Sequence, residues 1–274
     1  MKYKSLLRFL YFTLVNICAA VLVYYSLITF PGKSLHNLPA ILIFTVLLIL
    51  AEHLPVHLPE GAEVTVGFAI GLSSLLIFGV QICVLMVMIS AILTELKRET
   101  PIALFKSIFN ISLYIIMVGV SGLIYERVGG VPGVINLTHD FFRILLLAFS
   151  YLFINVLLVT IALALLENHN VYHIFVSNFK WALPNYLALA PLGILLAMIY
   201  LSVGSLGILL FLIPLLVARH SFQLYMTMRK IYFETIQALA TAIEAKDPYT
   251  KGHSERVAEF AAIIAEEMKL PENE

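Results

Sequence analysis

One run in this chain has residue types that could hold a metal ion: Glu244-Ala-Lys-Asp-Pro-Tyr-Thr-Lys-Gly-His-Ser-Glu-Arg-Val257. A histidine such as His253 is a ready ligand for a divalent cation. Bound metals activate water and stabilise charge building on phosphate. Spacing decides where the imidazole points. Asp247-Pro248 ends a helix, because the residue before a proline is pushed out of the α region. Thr250-Lys-Gly252 supplies a turn, and a new helix starts near His253 or Ser254. Ser254 is placed to cap it, with Glu255 in its first turn. His253 lies four residues before Val257 and therefore shares the stripe Val257, Phe260, Ala261, Ile264 and Met268. It is expected to face inward with them. Taken alone, such a histidine is more simply a satisfied structural residue than a ligand. One histidine cannot by itself hold a hydrolytic metal centre.

A second polar cluster is Glu52-His53, His57, Glu60 and Glu63, with Pro55 and Pro59 between. Histidines and carboxylates of this kind bind metals or small polar ligands. The spacing is not that of a zinc-binding His-Glu-x-x-His helix, and the prolines break a regular helix. A solvated loop at the membrane interface is the plainer reading. A ligand- or metal-sensing site built from Glu52, His53, His57 and Glu63 is the sharper one. Cys18 and Cys83 both lie in apolar runs and read as packing residues rather than a redox pair.

The elements that must position these residues are mostly apolar. Of the 274 residues, 61% are hydrophobic and 12% charged, with zero formal net charge. Soluble domains average roughly 45–50% apolar and about 25% charged. The composition therefore indicates an all-α, polytopic membrane bundle, and the balance of charge excludes a nucleic acid polymer as partner. The run from about Leu10 to Phe30 follows Lys2, Lys4 and Arg8. It is too long for a cleaved signal and reads as a first span. Further runs cover Leu38–Leu50, Val64–Leu96, Ile108–Ile124, Phe141–Leu166, Trp181–Tyr200 and Ser205–Ala218. As one helix, Val64–Leu96 would reach about 50 Å, well beyond the ~30 Å hydrocarbon layer. Two short helices hinged near Gly79 fit better, which makes about eight spans.

Charge supports that number. With the amino terminus inside, ten basic residues fall on the cytosolic side, from Lys2, Lys4 and Arg8 through Lys97, Arg98, Lys106 and Lys180 to Arg219, Arg229 and Lys230. Only three, Lys33, Arg127 and Arg143, fall outside. This matches the positive-inside rule and places both termini in the cytoplasm of a multi-pass protein of the bacterial inner membrane. Pro184, Pro191 and Pro214 in the last spans are expected to kink them. Asn110, Asn155 and Asn185 read first as interhelical hydrogen-bonding groups. No Asp, Glu, Lys or Arg falls mid-span, which weighs against a pump. Glu95 reads as interfacial beside Lys97 and Arg98.

After Arg219 the chain turns polar. Leu224, Met228, Ile231, Thr235, Ala238 and Ala242 step by four and three, a weak heptad seam. Two readings stay open: a helix packing into its own domain, or one that leaves the membrane and pairs with its twin in a homodimer.

The run that opened this section resembles the start of an HD-GYP domain, a metal-dependent phosphohydrolase of the HD superfamily. Asp247-Pro248-Tyr249-Thr250, Gly252-His253-Ser254 and Arg256-Val257 carry the likeness, which covers roughly Tyr232 to Glu274. The resemblance implies cyclic di-GMP as substrate and a divalent metal of the Fe or Mn type. It implies that His253 is the first metal ligand and that Arg256 helps hold the helical core. The His-Asp pair, the later ligands and the Gly-Tyr-Pro loop of the family are not in this sequence, so the chain as written is expected to be inactive. Either it is part of a longer protein or its gene is a fragment. More diffusely, the membrane half is similar to the sensor regions of bacterial cyclases and phosphodiesterases, notably where Gly61-Ala-Glu-Val-Thr-Val-Gly67 leads a span.

The expected organisation is a multi-span sensor at 1–218, a signalling helix at 219–246 and the opening of an HD-GYP domain at 247–274. The expected function is membrane sensing coupled to that phosphodiesterase. A small-molecule transporter or substrate-capture subunit is the alternative.

Overall fold

The computed structural model describes residues 2–30, 32, 37–53, 56–57, 63–95, 101–167, 171–245 and 252–268. Of the motif residues singled out above, Glu60, Asp247, Pro248, Tyr249 and Thr250 lie outside them, as do the side chains of His57, Glu63 and Ser254. The chain divides into two compact units, Met1–Leu215 and Leu216–Glu274.

The first unit is a helical bundle. Its helices are α1 (Lys2–Ile28), α2 (Leu38–His53), α3 (Gly67–Phe78), α4 (Val80–Glu95), α5 (Pro101–Arg127), α6 (Leu137–Glu167), α7 (Val171–Val203) and the start of α8 (Ser205–Ala245). A two-residue antiparallel ladder, β1 (Val56–His57) with β2 (Glu63–Val64), links α2 to α3 and was not foreseen.

At the centre stands α3. All twelve of its residues are buried. Its sequence is apolar on every side, which suits a helix enclosed by protein. It packs against α2, α4 and α7. Close approach to α7 depends on Gly193, where an added Cβ would come 2.7 Å from the carbonyl oxygen of Ala69. Small residues at such contacts let membrane helices meet backbone to backbone. Phe44 of α2, Phe78 of α3 and Tyr200 of α7 close the opposite end of this core, with ring centroids 5.4–5.9 Å apart.

The break between α3 and α4 falls at Gly79, whose φ of +81° favours glycine. Interrupting a buried helix pair strands backbone groups that must be satisfied within the protein. The Val80 amide donates to Glu126 Oε1 at 3.1 Å, and the Gly133 amide donates to the Leu76 carbonyl at 2.8 Å. The loop after α5 thus caps the break.

The outer helices carry the lipid-facing residues. Leu10, Leu14, Ile17 and Val21 of α1 are exposed, whereas Phe12, Val15 and Ala19 turn inward. Among the described residues, four helices are long and apolar enough to cross a membrane: Leu6–Ile28, Leu104–Arg127, Leu137–Leu166 and Val171–Val203. These account for four of the about eight spans expected from sequence. α2, α3 and α4 are apolar but have only 16, 12 and 16 residues. At twelve residues α3 extends roughly 18 Å and is sheathed by protein rather than lipid.

Two boundaries also differ. α7 begins at Val171, ten residues before the expected Trp181, and stays helical through Pro184 and Pro191. α8 is a single helix from Ser205 to Ala245, where a span and a separate connecting helix were expected. Hydropathy falls near Arg219, but nothing in the local sequence stops a helix there.

The second unit holds the later part of α8 and α9 (His253–Glu267). Gly252 precedes α9 with φ +71°, and its carbonyl accepts the Arg256 amide at 3.2 Å. Val257, Phe260, Ile264 and Met268 are exposed, and so is His253. The inward placement expected of His253 is therefore not seen. Among the described residues its stripe has no core to enter.

Candidate ligand-binding cavity

Where α2 and α4 finish and α3 and α5 begin, the bundle encloses a cavity of about 540 Å³. Its lining is polar for a membrane bundle. Glu52, Thr65, Glu95, Lys106, Asn110 and Tyr114 line it from one side, and Tyr151, Asn155, Asn178, Asn185 and Tyr186 from α6 and α7.

Glu52 is placed by the last turn of α2. Its carboxylate accepts the Tyr114 hydroxyl at 3.1 Å and the Thr65 hydroxyl at 3.3 Å. Room for it comes from Gly67, the first residue of α3: a Cβ on Gly67 would overlap Glu52 Oε1. Glycine at this position thus shapes the cavity floor.

Glu95, the last residue of α4, was expected to be an interfacial residue. It lines the cavity and accepts hydrogen bonds from Ser107 Oγ and, at 3.1 Å, from Asn110 Nδ2. Lys106 lines the same space. Two of the three asparagines singled out from sequence also make the interhelical bonds expected of them. Asn110 reaches Glu95, and Asn155 donates to Met117 Sδ at 3.2 Å. Both line the cavity, as does the third, Asn185.

The aromatic side of the cavity had no sequence signal. Phe68 packs between Tyr186 and Tyr151, with ring centroids 4.2 and 5.0 Å away. Tyr151 is tied to α3 by a second glycine. A Cβ on Gly71 would come 2.7 Å from its hydroxyl. Asn178, also missed, bonds Thr160 at 3.3 Å.

Of the expected four-residue sensing cluster, only Glu52 and His53 have described side chains, and these two diverge. Glu52 faces the cavity, but His53, the next residue, is exposed and its Nδ1 lies 2.8 Å from the Ile49 carbonyl. Consecutive residues on a helix sit about 100° apart, so both cannot face one site. His57 and Glu63 are paired positions across the β1–β2 ladder. Among the described residues no group of three or more His, Cys, Asp or Glu could hold a metal ion. The same holds around His253, where Asp247 to Thr250 lie outside the described residues.

A partly open cavity with polar and apolar lining residues inside an apolar bundle can bind a small solute and couple its presence to helix packing. No curated protein and no solved structure matches the chain. The model of one family, MASE9, matches residues 3–229, from the start of α1 into α8 and ending before the Glu244–Val257 run. With most of its length accounted for in this way, the chain belongs to the MASE9 family of membrane-associated sensory domains.

Proposed function

We propose that this chain is the input half of a bacterial inner-membrane signalling protein. The membrane bundle binds a small polar solute in the Glu52–Glu95 cavity. Occupancy changes the packing of α3 against α7, and α8 conveys the change to an output domain. The observation that carries this reading is the cavity itself, a space of about 540 Å³ with polar side chains in its lining, walled by six helices of a sensory-family bundle.

For the output we favour an HD-GYP-type cyclic di-GMP phosphodiesterase. Support comes from the Asp247-Pro248-Tyr249-Thr250 and Gly252-His253-Ser254-Glu255-Arg256 run alone. The topology we favour has eight membrane-embedded helices, four of them full crossings by length and composition, with both termini in the cytoplasm. We also favour a homodimer through α8, where Leu224, Met228 and Ile231 are exposed at heptad-like spacing. The transporter alternative drew on the hinge at Gly79. Because Glu126 and Gly133 occupy the backbone groups there, the sensory reading is preferred.

Two measurements test the proposal. Reading the gene in frame beyond the codon for Glu274 should give a His-Asp pair and a Gly-Tyr-Pro loop; other sequence there removes the phosphodiesterase. In cells carrying the gene, cyclic di-GMP should respond to cavity substitutions such as Asn155→Leu; an unchanged level removes the sensory role of the cavity.

A further inference from the structure

We propose that the groove between α1, α5 and α6 holds one phospholipid of the bilayer, its fatty-acyl chain in the groove and its phosphate against Arg8. The site lies on the outer face of the bundle and is independent of the solute cavity. α1 contributes Ile17, Cys18 and Val21, all exposed, α6 contributes Leu158 and Ile161, and the buried Ile116 of α5 adds to a space of about 590 Å³. α1 is seated on α5 at both ends of it. At one end Phe12 meets Phe105 and Phe109, with ring centroids 4.6 and 5.2 Å away. Towards the other, Leu22 lies against Gly119, where an added Cβ would come 2.9 Å from Leu22 Cδ1.

The lining selects the tail. Its side chains carry two heteroatoms, the Tyr11 oxygen and the Cys18 sulfur. The Tyr11 hydroxyl is already donated to the Leu158 carbonyl at 2.7 Å, and a thiol behaves as a small apolar group. A polar solute would lose its water and gain no hydrogen bond there. Left empty, the groove would forfeit dispersion contacts along its length. From Tyr11 to Leu22 the helix rises roughly 17 Å, close to one leaflet of a ~30 Å hydrocarbon layer.

Arg8 places the head. It stands one turn before Tyr11 on the same face of α1, near the start of the candidate span Leu6–Ile28. Its Nε and Nη2 donate to the carbonyls of Leu165 and Leu166 at 2.6 and 3.3 Å, which fixes the guanidinium just beyond the groove. Neither carbonyl is an anion. A phosphate ester is a partner that a fixed guanidinium takes at the depth of the lipid headgroups.

The whole chain, extracted into a mild detergent from the membranes in which it is made, is weighed intact by native mass spectrometry, and the released lipid is identified. One phospholipid per chain should survive washing. Cys18→Trp, which fills the groove, should lower retention about tenfold, and Val21→Trp on the same wall repeats the test. Arg8→Gln should lower it by a similar factor, and Arg8→Lys, which keeps the charge, by less. Leu145→Trp, exposed but outside the groove, should retain the lipid. Melting temperature is read for each variant, and Arg8→Gln against Arg8→Lys decides where a tryptophan does not fit. The proposal is overturned by the absence of retained phospholipid, by a retained apolar compound without phosphate, by a lipid-free dimer, or by equal retention in wild type and the groove variants. Equal loss from Leu145→Trp and Cys18→Trp overturns it too, because such lipid belongs to the general annulus.

Discussion

The amide of Val80 donates to Glu126 Oε1 across 3.1 Å, joining the first residue of α4 to the last turn of α5, 46 residues later. This bond gives the first amide of α4 an acceptor where the buried helical run is interrupted at Gly79. The partner is charged, and charge-assisted bonds to a helix start are the stronger kind. Glu126→Ala should therefore destabilise the bundle by about 1–3 kcal/mol. Glu126→Gln keeps an oxygen acceptor and should lose less. Thermal melting of the two variants in one detergent checks the order. Equal melting temperatures for wild type and Glu126→Ala would show that the cap contributes nothing.

The contact of α3 with α7 predicts a steep size dependence at Gly193. An added Cβ would lie 2.7 Å from a backbone oxygen that cannot rotate away. Gly193→Ala should cost about 1–3 kcal/mol by forcing the helices apart. Gly193→Leu should cost more and should abolish ligand response along with stability. Gly67→Ala differs, because the atom it meets is the flexible end of Glu52. It should move the carboxylate and weaken ligand binding while leaving the melting temperature near that of wild type.

Much of this was legible before any coordinates, and what was not has physical causes. Gly79 marked the break in a run too long for one crossing, and the break is there. The complete burial of α3 was invisible. A helix enclosed by protein and one facing lipid both read as uninterrupted apolar sequence. The partners of Glu95 were not legible, because Ser107 and Asn110 belong to the next helix and no local pattern ties them to it. Tyr114 and Glu52 meet across 62 residues, and no local pattern encodes such a pairing.

Tyr125 offers a test of the opposite sign. Its ring is 1% exposed and packs under Gly130, and among the described residues its hydroxyl has no hydrogen-bond partner. Burying a hydroxyl unpaired costs about 1–3 kcal/mol. Tyr125→Phe removes that cost and keeps the ring, so it should leave stability equal or raise it. A clear fall in melting temperature would mean that the hydroxyl has a role the structure does not show.

Met228, 69% exposed on α8, tests the dimer. In a Cys18→Ser background, Met228→Cys should form an oxidant-dependent crosslinked dimer in membranes. Lys230→Cys, off the seam, should crosslink less. Similar crosslinking at both positions, or at neither, argues for the alternative in which the helix packs only into its own domain.

The last prediction concerns which side of the membrane the cavity opens to. Arg8 donates to the carbonyls of Leu165 at 2.6 Å and Leu166 at 3.3 Å, tying the start of α1 to the end of α6. The cavity lies at that same end, where Glu52 ends α2, Glu95 ends α4 and Lys106 begins α5. In sequence, Lys97, Arg98 and Lys180 fall beside these positions. The opposite end, beyond Gly79 and Glu126, holds Arg127 and Arg143, and Arg143 is paired with Asp140 at 2.6 Å. An excess of basic residues marks the cytoplasmic side. The sensed solute should therefore enter from the cytosol, not from outside the cell. In a background of Cys18→Ser and Cys83→Ala, Lys106→Cys should react with a membrane-impermeant maleimide in inside-out vesicles and stay unlabelled in right-side-out ones. The reverse pattern would place the cavity on the outer face and make the protein a sensor of the cell's surroundings.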